Sequence, residues 1–296
     1  MDSAEVTPEP PPDPRSGWDL PAFGTLATVE HSGPGLVRVL APNPSPMTLD
    51  GTNTYVLAPP GSGEALVVDP GPEDPEHHRR VREVLAEVDV QVRAVVLTHH
   101  HHDHAAAAAS WARAHGCEVL AASRELTSAD RVLLDGDEVP VGRSRVRVIA
   151  TPGHTADHLA FRLEDGSVLT GDHVLGRGTS VVAHPDGDLE AYLASVRRLH
   201  DLGPDALHPG HGPSLTEDPT AVLDFYLAHR RYREAQLRAA LAGGPATVTE
   251  LVARLYADVD PRVWPAARAS LSATLAALTD RGEVRTDAAG RCHLAS

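Results

Sequence analysis

Five histidines and one aspartate crowd residues 99–104, directly after the apolar run 94–97. Alternate positions give His99 and His101, then the adjacent pair Asp103 and His104, an H-x-H-x-D-H pattern. In an extended or tightly turning segment, residues two apart point the same way, so His99 and His101 can grip one cation. Asp103 and His104 fall where the chain should enter a helix over 105–115, and they face a second point nearby. Neutral imidazole and carboxylate suit zinc and similar divalent ions, so the spacing describes two metals side by side. A purification tag is terminal and uninterrupted, whereas this run is internal and carries a carboxylate within it.

Three further segments end in a glycine followed by a ligand-type residue: Gly153-His154, Gly171-Asp172 and Gly210-His211. Together these give seven candidate ligands. His99, His101 and His154 would hold one ion, Asp103, His104 and His211 the other, with Asp172 shared between them. A structural zinc site is closed by four protein ligands, whereas a catalytic one keeps a position open for water. A solvent-derived hydroxide bridging two such ions, its pKa lowered to about 7, is a nucleophile at neutral pH. Asp103 is the candidate for orienting that water and shuttling its proton.

The elements that must position these residues follow from periodicity. Strands are expected at 36–40, 65–68, 94–97, 117–121, 131–134, 145–149, 158–163 and 167–170, several of them bounded by Gly- or Pro-containing turns. A helix over 75–88 has Val81, Val84, Leu85 and Val88 on one face. His77 and His78 lie among Glu76, Arg79 and Arg80 and read as solvated. Asp188 is a good N-cap for a helix to residue 201. Residues 219–241 read as one long helix with a basic stretch, and Thr247 with Glu250 as a capping box. A helix over 261–281 and a hairpin over 283–294 complete a winged-helix order. The expected organisation is a disordered Pro-rich tail (1–20), a catalytic domain (21–216), a linking helix (217–243) and a winged-helix-like domain (244–296).

Composition narrows the partners. The 296 residues suffice for two domains with a core. The formal charge of −15 argues against wrapping duplex DNA, which needs a basic face. It leaves an anionic substrate open, because bound dications dominate the local field. No stretch has the apolar length of a membrane span. The acidic Pro-rich start has no signal-peptide pattern, and Cys117 and Cys292 imply no disulfide framework, so a cytoplasmic protein is expected.

These motifs, in this order, resemble the metallo-β-lactamase superfamily over roughly residues 35–212. The resemblance implies an α/β fold, an αββα sandwich with a dinuclear site at one edge, followed by the small winged-helix-like domain. Within it the chain is similar to the β-lactamase-like protein 2 branch, through Gly51-Thr52-Asn53-Thr54-Tyr55, Gly178-Thr179, and His229-Arg230 with Arg233-Glu234. That branch contains metal-dependent endoribonucleases acting on single-stranded RNA and relatives that hydrolyse thioesters. True β-lactamases are disfavoured, since no Cys stands near Asp172. The glutathione-binding region of glyoxalase II and the long arm of tRNA 3′-processing enzymes are not recognisable.

The resemblance also implies that Asp69 and His158 support the ligands from behind. Asn53, Arg230 and Arg233 are candidates for substrate contact. His100, His102, His173 and His208 stay unassigned. The expected cofactors are two divalent ions, zinc by default, with manganese or iron open. The leading expectation is a dinuclear hydrolase whose metal-bridging hydroxide attacks an ester-type bond, with an RNA phosphodiester as one substrate class. A thioester hydrolase is the alternative, acting on acyl-CoA or acyl-carrier conjugates. A winged-helix regulator with structural metals is the non-enzymatic one. Oligomeric state is not readable.

Overall fold

The computed structural model describes residues 9–295. In chain order the strands are β1 (Val29–Gly33), β2 (Leu36–Leu40), β3 (Asn53–Leu57), β4 (Glu64–Val68), β5 (Gln91–Val96), β6 (Glu118–Ala121), β7 (Arg131–Val132), β8 (Glu138–Val141), β9 (Ser144–Ala150), β10 (Leu159–Arg162), β11 (Val168–Gly171), β12 (Leu207–Pro209), β13 (Ala246–Thr247), β14 (Val284–Thr286) and β15 (Arg291–Leu294). The helices are α1 (Pro75–Glu87), α2 (His102–Ala105), α3 (Ala108–His115), α4 (Arg124–Thr127), α5 (Leu189–Asp201), α6 (Pro219–Ala242), α7 (Val248–Leu255) and α8 (Trp264–Asp280).

Strands β1 to β7 form one sheet in sequence order, antiparallel as far as β4 and parallel beyond it. The second sheet runs β12-β11-β10-β9-β8, with only β11 and β12 parallel. Both sheets are covered on both faces, which is why their strands read as nearly continuous apolar runs. The two-residue alternation still decides the side. In β4, Ala65 and Val67 face α1 and α3, whereas Leu66 and Val68 meet Phe161 and Leu169 between the sheets. Ile149, Ala160 and Val168 pack outward on α5 and α6. The result is a four-layer αββα sandwich.

Several elements differ from the sequence-based expectation. The helix expected over 105–115 is two helices, α2 and α3. The break at Ala106–Ala107 arises because the Ala107 N–H bonds to the Gly71 carbonyl at 3.1 Å, and the Gly71 N–H to the His104 carbonyl at 3.2 Å. Strand β8 was hidden by its acidic approach and Pro140; it is an edge strand, where proline is tolerated. The helix expected from residue 261 begins as a 3-10 turn, Pro261–Val263, before α8.

The expected disordered tail is corrected in part: residues 1–8 lie outside the described residues, but Pro14–Gly17 forms a 3-10 turn against the sandwich. Buried Arg15 donates to the carbonyls of Leu175 (2.9 Å) and Gly178 (2.7 Å) and lies over the Phe225 ring.

Nor is α6 a free linker. Val222, Leu223 and Tyr226 pack in the sandwich, and Leu237 and Leu241 in the core of the C-terminal unit. That unit is α7, α8 and the small sheet β13-β15-β14, opened by the capping box of Thr247 and Glu250. Among the described residues, no helix is long and apolar enough to cross a membrane.

Candidate metal centre

All seven candidate ligands converge at one edge of the sandwich. The loop after β5 brings His99 and His101, and α2 brings Asp103 and His104. The loops after β9, β11 and β12 bring His154, Asp172 and His211. Among these seven, two groups have donor atoms within 4.8 Å of one another: His99, His101, His154 and Asp172; and Asp103, His104 and His211. Asp172 lies between them. Its Oδ1 is 3.3 Å from His104 Nε2, while its Oδ2 is 3.2 Å from His211 Nε2 and 3.8 Å from His154 Nε2.

Hydrogen bonds behind the rings fix which nitrogen faces the centre. His104 Nδ1 donates to Asp69 (2.8 Å), His154 Nδ1 to the Val181 carbonyl (2.6 Å), and His211 Nδ1 to the Gly51 carbonyl (3.0 Å). Thr98 Oγ1 donates to Asp69 at 2.7 Å, so its oxygen accepts from His99 Nδ1 at 2.9 Å. Each of the four thus turns an Nε2 lone pair inward, the tautomer a metal requires. His101 points Nδ1 inward instead, 2.9 Å from His99 Nε2 and 3.1 Å from His154 Nε2. With His101 Nδ1 unprotonated, three lone pairs meet at this point, and they repel unless a cation lies among them. Asp172 Oδ1 is buried with no hydrogen-bond donor. The residues therefore fit a pair of divalent cations.

Charge sorts the rings. Burial lowers the pKa of His99 and His154, and takes His101 to about 4. At His104 and His211, burial is outweighed by the carboxylates of Asp172 and Asp103, raising His211 to about 9. The carboxylate of Asp172, although buried, is held well below its usual range by His211 and His104. A dication draws on the same carboxylates and displaces those protons.

The supporting residues expected from the sequence lie where support is needed. Asp69 accepts from the Thr98 amide (2.8 Å), the Thr98 hydroxyl and His104, and adopts a left-handed φ of 50° to do so. His158 Nδ1 donates to Thr151 Oγ1 (2.8 Å), leaving Nε2 to accept the Asp172 amide at 3.2 Å. Two glycines make the room. A Cβ on Gly171 would meet His158 Nε2 at 2.7 Å, and one on Gly210 would meet Asp172 Oδ1 at 2.5 Å.

Three substrate-contact candidates are corrected. Asn53 is fully buried and donates to the carbonyls of Pro209 (2.8 Å) and Gly212 (2.9 Å), so it ties β3 to the His211 loop. Arg230 is buried, donates to the Ser180 carbonyl and stacks on Tyr192. Arg233 lies 3.9 Å from the Tyr256 ring centre and bonds Gln236. None of the three lines the cavity above the centre. His77 is likewise not solvated: burial takes its pKa to about 4, and its Nε2 bonds Thr54 at 2.8 Å. Its position four residues before Val81, on the apolar stripe of α1, carried that signal. His78 is half-buried, edge-on to Trp111. His100 pairs with Asp157, His208 with Ser214, and His102 is exposed. Sequence reasoning missed Thr52 and Asn43, which hold Asp103.

A dinuclear ligand set at the edge of an αββα sandwich defines a metallo-hydrolase of this fold. The chain belongs to the metallo-β-lactamase superfamily, whose model matches residues 47–211. A beta-lactamase associated winged helix domain matches 247–291. The Beta-lactamase-like protein 2 homolog of Drosophila melanogaster is 32% identical over 271 residues, covering 84% of this chain and 89% of that protein. An Atrochrysone carboxyl ACP thioesterase of Aspergillus fumigatus is 34% identical over 282 residues, covering 84% and 82%. The crystal structure of a metallo-beta-lactamase family protein from Thermus thermophilus superposes with a TM-score of 0.75 at 26% identity, covering 89% of this chain and all of that one.

Proposed function

We propose that this protein hydrolyses thioesters, with the seven residues His99, His101, Asp103, His104, His154, Asp172 and His211 holding two divalent ions, zinc by default. The observation that carries the hydrolase reading is the set of inward ring nitrogens, four of them fixed as lone pairs by a bond behind the ring. Bound there, the ions would supply an activated water and positive charge opposite the acyl oxygen, where negative charge develops. Asp103, half-buried at the cavity floor and oriented by Thr52, takes the proton of the attacking water. The C–S bond breaks, and the leaving thiolate receives a proton.

What surrounds the centre supports this substrate class. The cavity of about 400 Å³ above it has no Arg or Lys in its lining. An RNA strand presents a phosphate on either side of the scissile one, and such sites are lined by cations. With Arg230 and Arg233 engaged elsewhere, RNA cleavage becomes the weaker reading and the thioester the stronger. Relatives such as the Aspergillus fumigatus protein carry the name thioesterase. The cytoplasmic setting belongs to this reading too: Cys117 and Cys292 are free thiols, as a reducing compartment keeps them.

The test is thiol release from a panel of acyl thioesters by the zinc-loaded protein, beside single-stranded RNA. Release that disappears on chelation and in Asp103→Asn is expected. A loaded protein that frees no thiol from the panel overturns the thioester reading.

A further inference from the structure

The cavity above the metal centre is not made by the sandwich alone. Its floor is His101, Asp103, His154, Asp172 and His211, but one wall is Pro265, Ala266 and Ala269, from the first turns of α8 in the C-terminal domain. Met47 faces that wall from the loop between β2 and β3, and Val181 and Ala183 close the side. A polar, cation-ready floor under apolar walls is the profile of a site for an electrophile with an apolar body.

The wall is fixed in place. Ala266, Ala269, Ala273 and Ala277 follow at spacings of three and four, one face of α8. Ala273 is buried in the cluster that holds Tyr192 and Val196 of α5, and Ala277 packs on Leu189 and Leu193 of the same helix. At the far end Arg281 binds Glu190 of α5 (2.7 Å) and Glu234 of α6 (2.8 Å). The small side chains let α8 lie close against α5. Of the four alanines, Ala266 and Ala269 meet open cavity instead of protein.

We infer that Ala266 and Ala269 set the length of acyl group that the centre accepts, making the C-terminal domain a specificity element of the active site. This rests on the thioester reading for the reaction, but not for the wall itself. The occupant is the uncharged, apolar acyl portion of the substrate, because no cationic side chain lines the cavity and the exposed Asp186 carboxylate lies among its lining residues.

The experiment is a ladder of straight-chain acyl hydroxamates, from two to twelve carbons, titrated calorimetrically into the zinc-loaded protein. The same chain lengths are assayed as thioesters. In the wild type, affinity should climb by roughly fourfold per methylene, the value of burying one, and then level off. Ala269→Leu should bring the plateau at least two carbons earlier and cut the long-to-short ratio of kcat/KM tenfold or more, with two metals still bound per chain. Met47→Ala, on a side chain 52% exposed and therefore safe for folding, should lower the gain per methylene. A wild-type ladder with no chain-length dependence overturns the inference. So do ladders that neither substitution moves, even if thioesters are cleaved. Ladders that shift while no thioester is cleaved leave the wall standing and remove the thioester reading.

Discussion

Thr52 Oγ1 donates to Asp103 Oδ2 across 2.9 Å, and Asn43 Nδ2 donates in turn to that hydroxyl at 3.0 Å. The Thr52 amide also bonds Asn43 Oδ1 at 2.9 Å, so the two side chains hold each other. A carboxylate in the proton-accepting role proposed for Asp103 works best in one orientation, and this pair of bonds supplies it. Thr52→Val keeps the shape and removes the donor. The expected result is a kcat lowered about tenfold, corresponding to about 1.4 kcal/mol, with KM little changed. Steady-state kinetics beside elemental analysis checks it; loss of a metal would mean that Thr52 props the site instead.

Asp69 gathers three donors and hands rigidity to both groups of candidate ligands, through His104 directly and His99 by way of Thr98. Asp69→Asn removes the charge and turns an amide toward donors. Metal affinity should fall about 10- to 100-fold, the usual cost of losing such a partner. Competition with a fluorescent zinc chelator measures it, and an unchanged affinity would refute the support role.

His77 gives a pH dependence whose sign is fixed. Burial lowers its folded pKa to about 4, against an ordinary value of 6.5. The unfolded chain therefore takes up a proton that the fold refuses, and stability present above pH 6.5 drains away as pH falls toward 4. Between pH 7 and 5 this one ring accounts for about 2 kcal/mol, at 1.36 kcal/mol per unit. His208 and His229, also taken by burial to about 4, add in the same direction. Urea midpoints at the two pH values should differ less in His77→Gln than in the wild type.

His173 is fully buried against Tyr192, ring centres 4.4 Å apart, and neither ring nitrogen has a partner among the described residues. Burying unpaired polar atoms costs free energy. His173→Phe preserves the stack and should raise stability by about 1 kcal/mol, read as a higher urea midpoint. A lower midpoint would reveal a hydrogen bond that the ring makes through solvent.

The candidate ligands were legible because their signal is local: four of the seven lie within six residues, and the other three each follow a glycine at or just after a strand end. The helix caps at Asp188 and Thr247 were legible for the same reason. Arg230 was misread because its neighbours are charged. Yet it sits four residues after Tyr226, on the stripe that also buries Val222, Glu234 and Leu237, and helical periodicity places it inside. The bond from Thr52 to Asp103 spans 51 residues and that from Asn53 to Pro209 spans 156, distances over which one sequence carries no pairing signal. The α8 wall was invisible too, since alanine at a cavity and alanine at a helix contact read alike.

The seven candidate ligands are divided between the two sheets: His99, His101, Asp103 and His104 come from the edge of one, His154, Asp172 and His211 from the edge of the other. Each spatial group, His99, His101, His154 and Asp172 or Asp103, His104 and His211, draws on both sheets, so an ion gripped by either would span the seam between the halves of the sandwich. An ion bound as proposed would be a clasp as well as a reagent. Withdrawing the metal would then loosen the mouth of the stack at the same moment that it silences the proposed chemistry.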